Sequence, residues 1–304
     1  MNGTHSKTFV ADFWDRFRSM FVPCRGDSVK LIISKVVLSV SVVTLVVSAC
    51  YLGNYFLSST KQQAIVEDSR TIWHDTETPA PQRFSEMLDE NSDFKAWLTV
   101  SGTSVDNPVY QTDNDEYYLK HNQKKQSSRH GALFFEARDE IDSTRDKTLV
   151  IYGHNMKDGS MFGTLKKLRN LNFYKENPTV TLSTVKEDST YVIYAIFLLN
   201  AVRSHDVDYI YDINKSVFSS PYEFEKWRDE ALQRSMINTG VEVSPDDEIL
   251  TLVTCTYEFD DARLAVMARK LRKNETVDTS DARVNGNPRH PKRWYDERNL
   301  DFPW

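Results

Sequence analysis

The stretch Ile249-Leu250-Thr251-Leu252-Val253-Thr254-Cys255, followed by Thr256-Tyr257-Glu258-Phe259-Asp260-Asp261 and then by Ala262-Arg263-Leu264-Ala265-Val266-Met267, decides how this chain is read. An apolar and β-branched run leads up to a thiol, a polar segment interrupts it, and a second apolar run follows, which is the pattern of a β-hairpin. With the turn centred near Phe259, the ladder that pairs Cys255 with Arg263 also pairs Val253 with Ala265. A thiol and a guanidinium then point to the same face. A bulge in the Tyr257 to Asp261 connection would shift that register by one residue and reverse the facing.

Cys255 ends an apolar strand, a rigid element on which a nucleophile can be held. Acyl transfer by cysteine needs a thiolate, a group that protonates the leaving amine, and donors for the oxyanion of the tetrahedral intermediate. His154 is the candidate acid/base and Arg263 the candidate donor. His154 follows the apolar strand Leu149-Val150-Ile151-Tyr152 in a Gly153-His154-Asn155 turn, where glycine lets the chain turn sharply and leaves the imidazole accessible. The other histidines of the exterior part, His74, His121, His130, His205 and His290, lack such a setting. Taken singly, each of the three residues has an ordinary reading: an inert buried thiol, a satisfied surface histidine, a solvated or ion-paired arginine. The combination carries the inference. Glu258, Asp260 and Asp261, close to the cysteine in sequence, read as a solvated loop, and no acid is assigned to orient His154.

Around this hairpin lie further short β runs, Val105 to Tyr110, Ala132 to Phe135, Thr148 to Tyr152, Val180 to Ser183 and Thr190 to Asn200, which favour a mostly antiparallel sheet or barrel. Ser220-Pro221-Tyr222-Glu223 is a capping box with proline at the first helical position, and predicts a helix to about Ile237. A shorter helix is expected to carry Met161, Leu165 and Leu168. Phe84, Met87, Leu88, Phe94 and Trp97 suggest one or two amphipathic helices, broken at Asn91-Ser92.

Towards the N-terminus, the charge-free stretch from Val36 to Phe56, extended by Leu31 to Ser34 around Lys35, is long enough to cross about 30 Å of hydrocarbon as a helix. Arg25, Lys30 and Lys35 flank its start, so the positive-inside bias puts the N-terminus in the cytoplasm and everything after Phe56 outside. A cleaved signal peptide is usually shorter and nearer the start. Val47-Ser48-Ala49-Cys50 resembles a bacterial lipobox, but the long polar leader argues against that reading. The chain therefore divides into a cytoplasmic segment (1–30), a transmembrane signal anchor (31–56), an extracytoplasmic stalk (57–81), a catalytic domain (82–284) and a C-terminal tail of unassigned role (285–304). The three cysteines, Cys24, Cys50 and Cys255, fall inside the cell, in the membrane and outside it. No disulfide can form within the exterior domain, and a lone exported thiol flags a reactive residue. A net charge of -6 leaves no general basic surface, so no nucleic-acid partner is expected.

Thr251-Leu252-Val253-Thr254-Cys255 through Leu264 resembles the TLxTC motif and downstream arginine of class B sortases. Tyr152-Gly153-His154-Asn155-Met156 with Gly159-Ser160-Met161-Phe162 is similar to the family's histidine motif. Trp97-Leu98 through Gly102-Thr103 to Asp106, Pro108-Val109 and Gln111 is similar to its entry strands, and together these cover the chain from about Phe84 to Leu271.

The resemblance implies a mainly β fold with peripheral helices: an eight-stranded sortase-type β-barrel with N-terminal helices and a helix-bearing connection before the cysteine strand, preceded by one transmembrane helix. It implies His154, Cys255 and Arg263 as catalytic residues, with no metal or cofactor. The implied reaction, in a Gram-positive cell, is cleavage after Thr in a sorting motif of the Asn-Pro-x-Thr or Ser-Pro-x-Thr kind, borne by secreted proteins with a C-terminal sorting signal. A thioester on Cys255 then passes to an amine such as a lipid-linked peptidoglycan precursor, anchoring the protein to the cell wall. Polymerisation of pilins on a pilin lysine is the first alternative, followed by a hydrolytic cysteine peptidase and an inactive membrane-tethered binding module. Val253 departs from the many relatives that carry serine there, so a hydroxyl contact to substrate is missing and substrate preference is expected to differ.

Overall fold

Short runs rich in β-branched and aromatic residues form the strands of a closed barrel, and the helices attach around it. A computed structural model describes residues 14, 16–141, 147–202 and 210–303. Its elements run α1 (Val29–Trp73), α2 (Ala80–Glu90), β1 (Phe94–Val100), β2 (Asp106–Tyr110), α3 (Tyr117–Lys120), β3 (Leu133–Phe135) and β4 (Thr148–Tyr152). A 3₁₀ turn (Leu165–Arg169) follows, then α4 (Leu171–Glu176), β5 (Thr179–Thr184), β6 (Asp188–Asn200), α5 (Pro221–Arg234) and β7 (Ile237–Asn238). The chain finishes with β8 (Ile249–Cys255), β9 (Ala262–Lys270), β10 (Arg283–Val284) and α6 (Lys292–Asp296).

The barrel has eight strands in the order β1-β2-β3-β4-β8-β9-β6-β5, and β5 pairs with β1 to close it. Most neighbours are antiparallel; β2 with β3 and β4 with β8 are parallel. Side chains such as Leu98, Ile151, Leu252 and Leu264 fill the interior. Outside β6, β8 and β9, Phe197, Ala265 and Met267 pack with Phe224 and Trp227 of α5. That helix lies in the connection before the cysteine strand, and the Ser220 hydroxyl accepts from the Glu223 N–H at its start. It ends at Arg234, three residues short of the expected Ile237. The Glu223 carboxylate accepts from Ser219 rather than from the Ser220 N–H that a reciprocal capping box would use.

Three local expectations change. Phe94 and Trp97 lie on strand β1, not on a second helix. A bulge between Phe94 and Ala96 lets these two aromatics share the outer face while Ala96, Leu98 and Val100 enter the barrel. The turn after Asp158 reaches helical geometry only as the short 3₁₀ segment, with Met161 before it at φ 50°. The segment expected as a stalk is helical through Trp73, and the chain divides into two compact units at Thr60 and Lys61, not near Gln82. Within the second unit, Val66 joins the barrel core, Trp73 stacks on Trp97 with centroids 5.0 Å apart, and the Arg70 Nε donates to the Asp106 carbonyl at 2.8 Å. Ile65, Ser69 and Trp73 recur every four residues, so one buried face emerges from a segment whose overall composition is polar. The first unit contains the apolar part of α1, long and apolar enough to cross a membrane, with none of its apolar window buried by the described residues.

Candidate active site

The parallel pairing of β4 with β8 explains why two residues a hundred positions apart meet. Parallel strands end on the same side of a sheet, so the turn after β4 and the last residue of β8 reach one rim of the barrel. The register sets Thr148 opposite Ile249 and Tyr152 opposite Val253; carried two residues further, it brings His154 level with Cys255. Two hydrogen bonds tie the turn to the strand. The Gly153 N–H donates to the Val253 carbonyl at 3.2 Å, and the buried Thr254 hydroxyl donates to the Gly153 carbonyl at 2.7 Å.

On its other side β8 pairs with β9, and Cys255 sits opposite Arg263, with Val253 opposite Ala265. No bulge intervenes, so thiol and guanidinium share a face. The Arg263 Nη1 donates to the Ala262 carbonyl at 3.1 Å, and among the described residues no carboxylate forms an ion pair with it. Its charge is therefore uncommitted at the rim. His154, Cys255 and Arg263 line one open cavity of about 240 Å³, together with Asp115, Leu119, Phe134 and Tyr152.

Leu119 and Gly131 were not singled out from the sequence, and Thr254 entered only as part of the motif before Cys255. The His154 Nε2 lies 2.8 Å from the Leu119 carbonyl. A carbonyl only accepts, so Nε2 carries the hydrogen and Nδ1 is left for proton exchange. A backbone group thus orients the ring. No residue type at position 119 could have signalled this, because the contact uses the main chain. Gly131 stands at φ 62°, and a Cβ there would come 2.3 Å from the Tyr118 carbonyl and 3.2 Å from the His154 ring. Gly153 proves necessary for a reason other than turning: its φ is not left-handed, but a Cβ would lie 2.4 Å from the Leu133 side chain and 2.8 Å from that of Phe162.

The remaining histidines sit elsewhere. His130 is fully buried with Nε2 3.1 Å from an Asp158 oxygen, His74 pairs with Asp106, His121 stacks on Tyr117, and His290 packs at a tilt against Trp294; His205 lies outside the described residues. Glu258 departs from the solvated-loop reading. It forms an ion pair with Arg169 and accepts from the Thr256 hydroxyl. Burial opposes its ionisation, but the hydrogen bonds from Thr256 and Arg169 outweigh burial and hold the carboxyl below the usual carboxylate range. Asp260 stays exposed, and its carboxylate lies 3.6 Å from Arg293.

Comparison with known proteins agrees with this geometry. The family model described as the sortase domain matches residues 98–271. The chain is 30% identical over 232 residues to sortase B of Listeria monocytogenes, covering 73% of this chain and 90% of that one. It is 28% identical over 193 residues to sortase B of Staphylococcus aureus, covering 62% and 75%. The X-ray structure of Clostridium perfringens sortase B superposes with a TM-score of 0.56 at 32% identity, over 62% of this chain and 100% of that one. With the matched domain, the closed barrel and these relatives in agreement, the chain belongs to the sortase family, and within it to class B.

Proposed function

We propose that this transpeptidase is membrane-anchored, with its N-terminus in the cytoplasm and the barrel outside. In this reading Cys255 is its nucleophile, His154 its acid/base and Arg263 its oxyanion donor. The observation that carries the reading is the convergence of these three side chains on one cavity at the ends of β4, β8 and β9. The Cys255 thiolate attacks the carbonyl carbon of Thr in a sorting motif of the Asn-Pro-x-Thr or Ser-Pro-x-Thr kind. The oxyanion is held by Arg263 and by backbone N–H groups near Cys255. His154 gives a proton to the departing amide nitrogen as the C–N bond breaks, leaving a thioester on the enzyme. An incoming amine then attacks that carbonyl, passes a proton back to His154, and the C–S bond breaks to restore the thiolate. The acceptor is a peptidoglycan precursor, so the product is a protein joined to the cell wall.

The test uses the full chain in detergent with peptides of both motif kinds and, in separate arms, a peptidoglycan stem peptide, a lysine-containing pilin segment, or no amine. Mass spectrometry should find cleavage after Thr and ligation to the stem peptide, with Cys255→Ala forming neither thioester nor product. Ligation only to the pilin segment would replace the acceptor, release to water alone would make the enzyme a peptidase, and turnover in Cys255→Ala would remove the nucleophile.

A further inference from the structure

The tail after residue 284 lies beyond the matched sortase domain, which ends at Leu271. It is nonetheless tied down at both ends of its path. Near α5, the Asn285 N–H donates to the Met236 carbonyl, its side-chain amide to the Ser235 carbonyl at 2.8 Å, and Arg289 pairs with Glu230 at 3.2 Å. Trp294 of α6 then packs on the barrel core. The far end reaches the loop between Cys255 and Arg263. Arg298 lies 4.3 Å over the Trp294 ring and donates from Nη1 to the Trp294 carbonyl at 3.1 Å and to the Glu258 carbonyl at 3.3 Å. Glu297 accepts from the Asp260 N–H at 3.4 Å, and Arg293 pairs with both Glu297 and Asp260.

The same loop is gripped from inside by Arg169 on the Glu258 carboxylate, which in turn receives the hydroxyl of Thr256, the residue after Cys255. Asp261, near the other end, holds φ at 62°, a conformation that a non-glycine residue keeps only when its surroundings enforce it. Beyond the Cys255 and Arg263 pair the sheet holds only the base of the turn, through the Thr256 N–H on the Ala262 carbonyl and the Ala201 N–H on the Asp261 carbonyl, both at 3.0 Å, and among the described residues no strand pairs with Tyr257 to Asp260. A movement there tilts both side chains at once, and misplacement by about 1 Å can cost a hundredfold in rate.

We propose that the C-terminal tail is a clamp that positions the Cys255–Arg263 turn, with Arg298 as its principal positioning residue, acting through Glu258 and Thr256 without touching substrate. The inference rests on Cys255 and Arg263 serving as proposed above. Arg298 is exposed, so its truncation removes no core.

In the full chain in detergent, Arg298→Ala should lower kcat for peptide cleavage about tenfold with KM and melting temperature nearly unchanged. Arg298→Lys, which keeps a donor for the Glu258 carbonyl, should recover most of the loss. Site-resolved mass spectrometry of iodoacetamide labelling gives a readout independent of the sorting motif. The rate of Cys255 labelling at fixed pH should change in Arg298→Ala and return in Arg298→Lys, because a loosened turn shifts the thiol from its place opposite Arg263. Unchanged kcat and labelling rate would overturn the clamp, as would a fall in kcat matched by a fall in melting temperature with no rescue by lysine. Should Arg298→Ala not fold, Glu297→Ala, which releases the Asp260 N–H, must show the same separation of kcat from KM. Turnover persisting in Cys255→Ala would instead refute the nucleophile assignment, and the labelling rate would still decide the clamp.

Discussion

Replacing Thr254 by valine tests how the histidine turn is held against the cysteine strand. The Thr254 side chain is buried, and its hydroxyl donates to the Gly153 carbonyl at 2.7 Å, one residue before His154 and one before Cys255. Valine has nearly the same shape, so the change removes the donor, leaves no hole, and deprives a carbonyl of its partner inside the protein. A buried polar group left unsatisfied costs about 1–3 kcal/mol, and at about 2 kcal/mol a unit of this size should melt roughly 4–8 °C lower. Thr254→Ser separates the hydrogen bond from the packing: it keeps the hydroxyl and loses one methyl, worth about 1 kcal/mol. With peptide cleavage and thermal melting measured on both, valine should lose stability and about tenfold or more in kcat, as expected for a loosened reacting pair. Serine should lose stability alone, with kcat within about twofold of the parent. A valine variant with normal kcat, or a serine variant as slow as valine, would refute the reasoning that this bond couples the two residues.

Arg263→Lys keeps the charge and loses the planar multi-donor fork, so if directed hydrogen bonding holds the oxyanion, turnover should fall by about 10²–10³ with folding unchanged; near-normal kinetics would mean that charge alone suffices. Gly153→Ala should cost about 1–3 kcal/mol in chemical denaturation, since its Cβ would meet Leu133 at 2.4 Å and Phe162 at 2.8 Å, whereas unchanged stability would show that the site relaxes freely. Burial, with Arg169 and Arg298 close by, lowers His290 from 6.5 to about 4. The unfolded chain thus takes the proton first, and the stability this ring contributes is complete above about pH 6.5 and lost as pH falls towards 4. Sealed from solvent that shift would be worth about 3 kcal/mol, and its partial exposure reduces this to roughly 1–2 kcal/mol. His290→Phe should flatten that slope in melts between pH 4 and 7. If α1 is the anchor, Cys50→Ser should stay in the membrane fraction, while release to the soluble fraction would point to a lipid on Cys50.

The pairing of Cys255 with Arg263 was legible in the sequence because a short hairpin makes it: the ladder follows from the distance to the turn, and alternation then sets the facing. The long apolar helix was legible for a similar reason, since hydrocarbon thickness translates directly into a length of apolar chain. The position of His154 against Cys255 was not. It depends on β4 lying parallel and next to β8 across an intervening stretch of about a hundred residues, and neither strand's pattern names its neighbour. Glu258 looked like a loop carboxylate because Arg169, its partner, is remote in sequence. Gly153 looked like a turn residue because the Leu133 and Phe162 side chains that exclude a Cβ arrive from other elements. Residues 61–73 looked like a stalk because a sparse apolar face counts as a core face only when a matching surface, here Trp97 and its neighbours, comes to cover it. The sequence by itself singled out His154, Cys255 and Arg263 as candidates and determined how the local hairpin aligns two of them. Tertiary structure alone decided which distant strands and carbonyls hold the third, because the free energy of such contacts depends on closing long loops around one shared core and on shape that no local window contains.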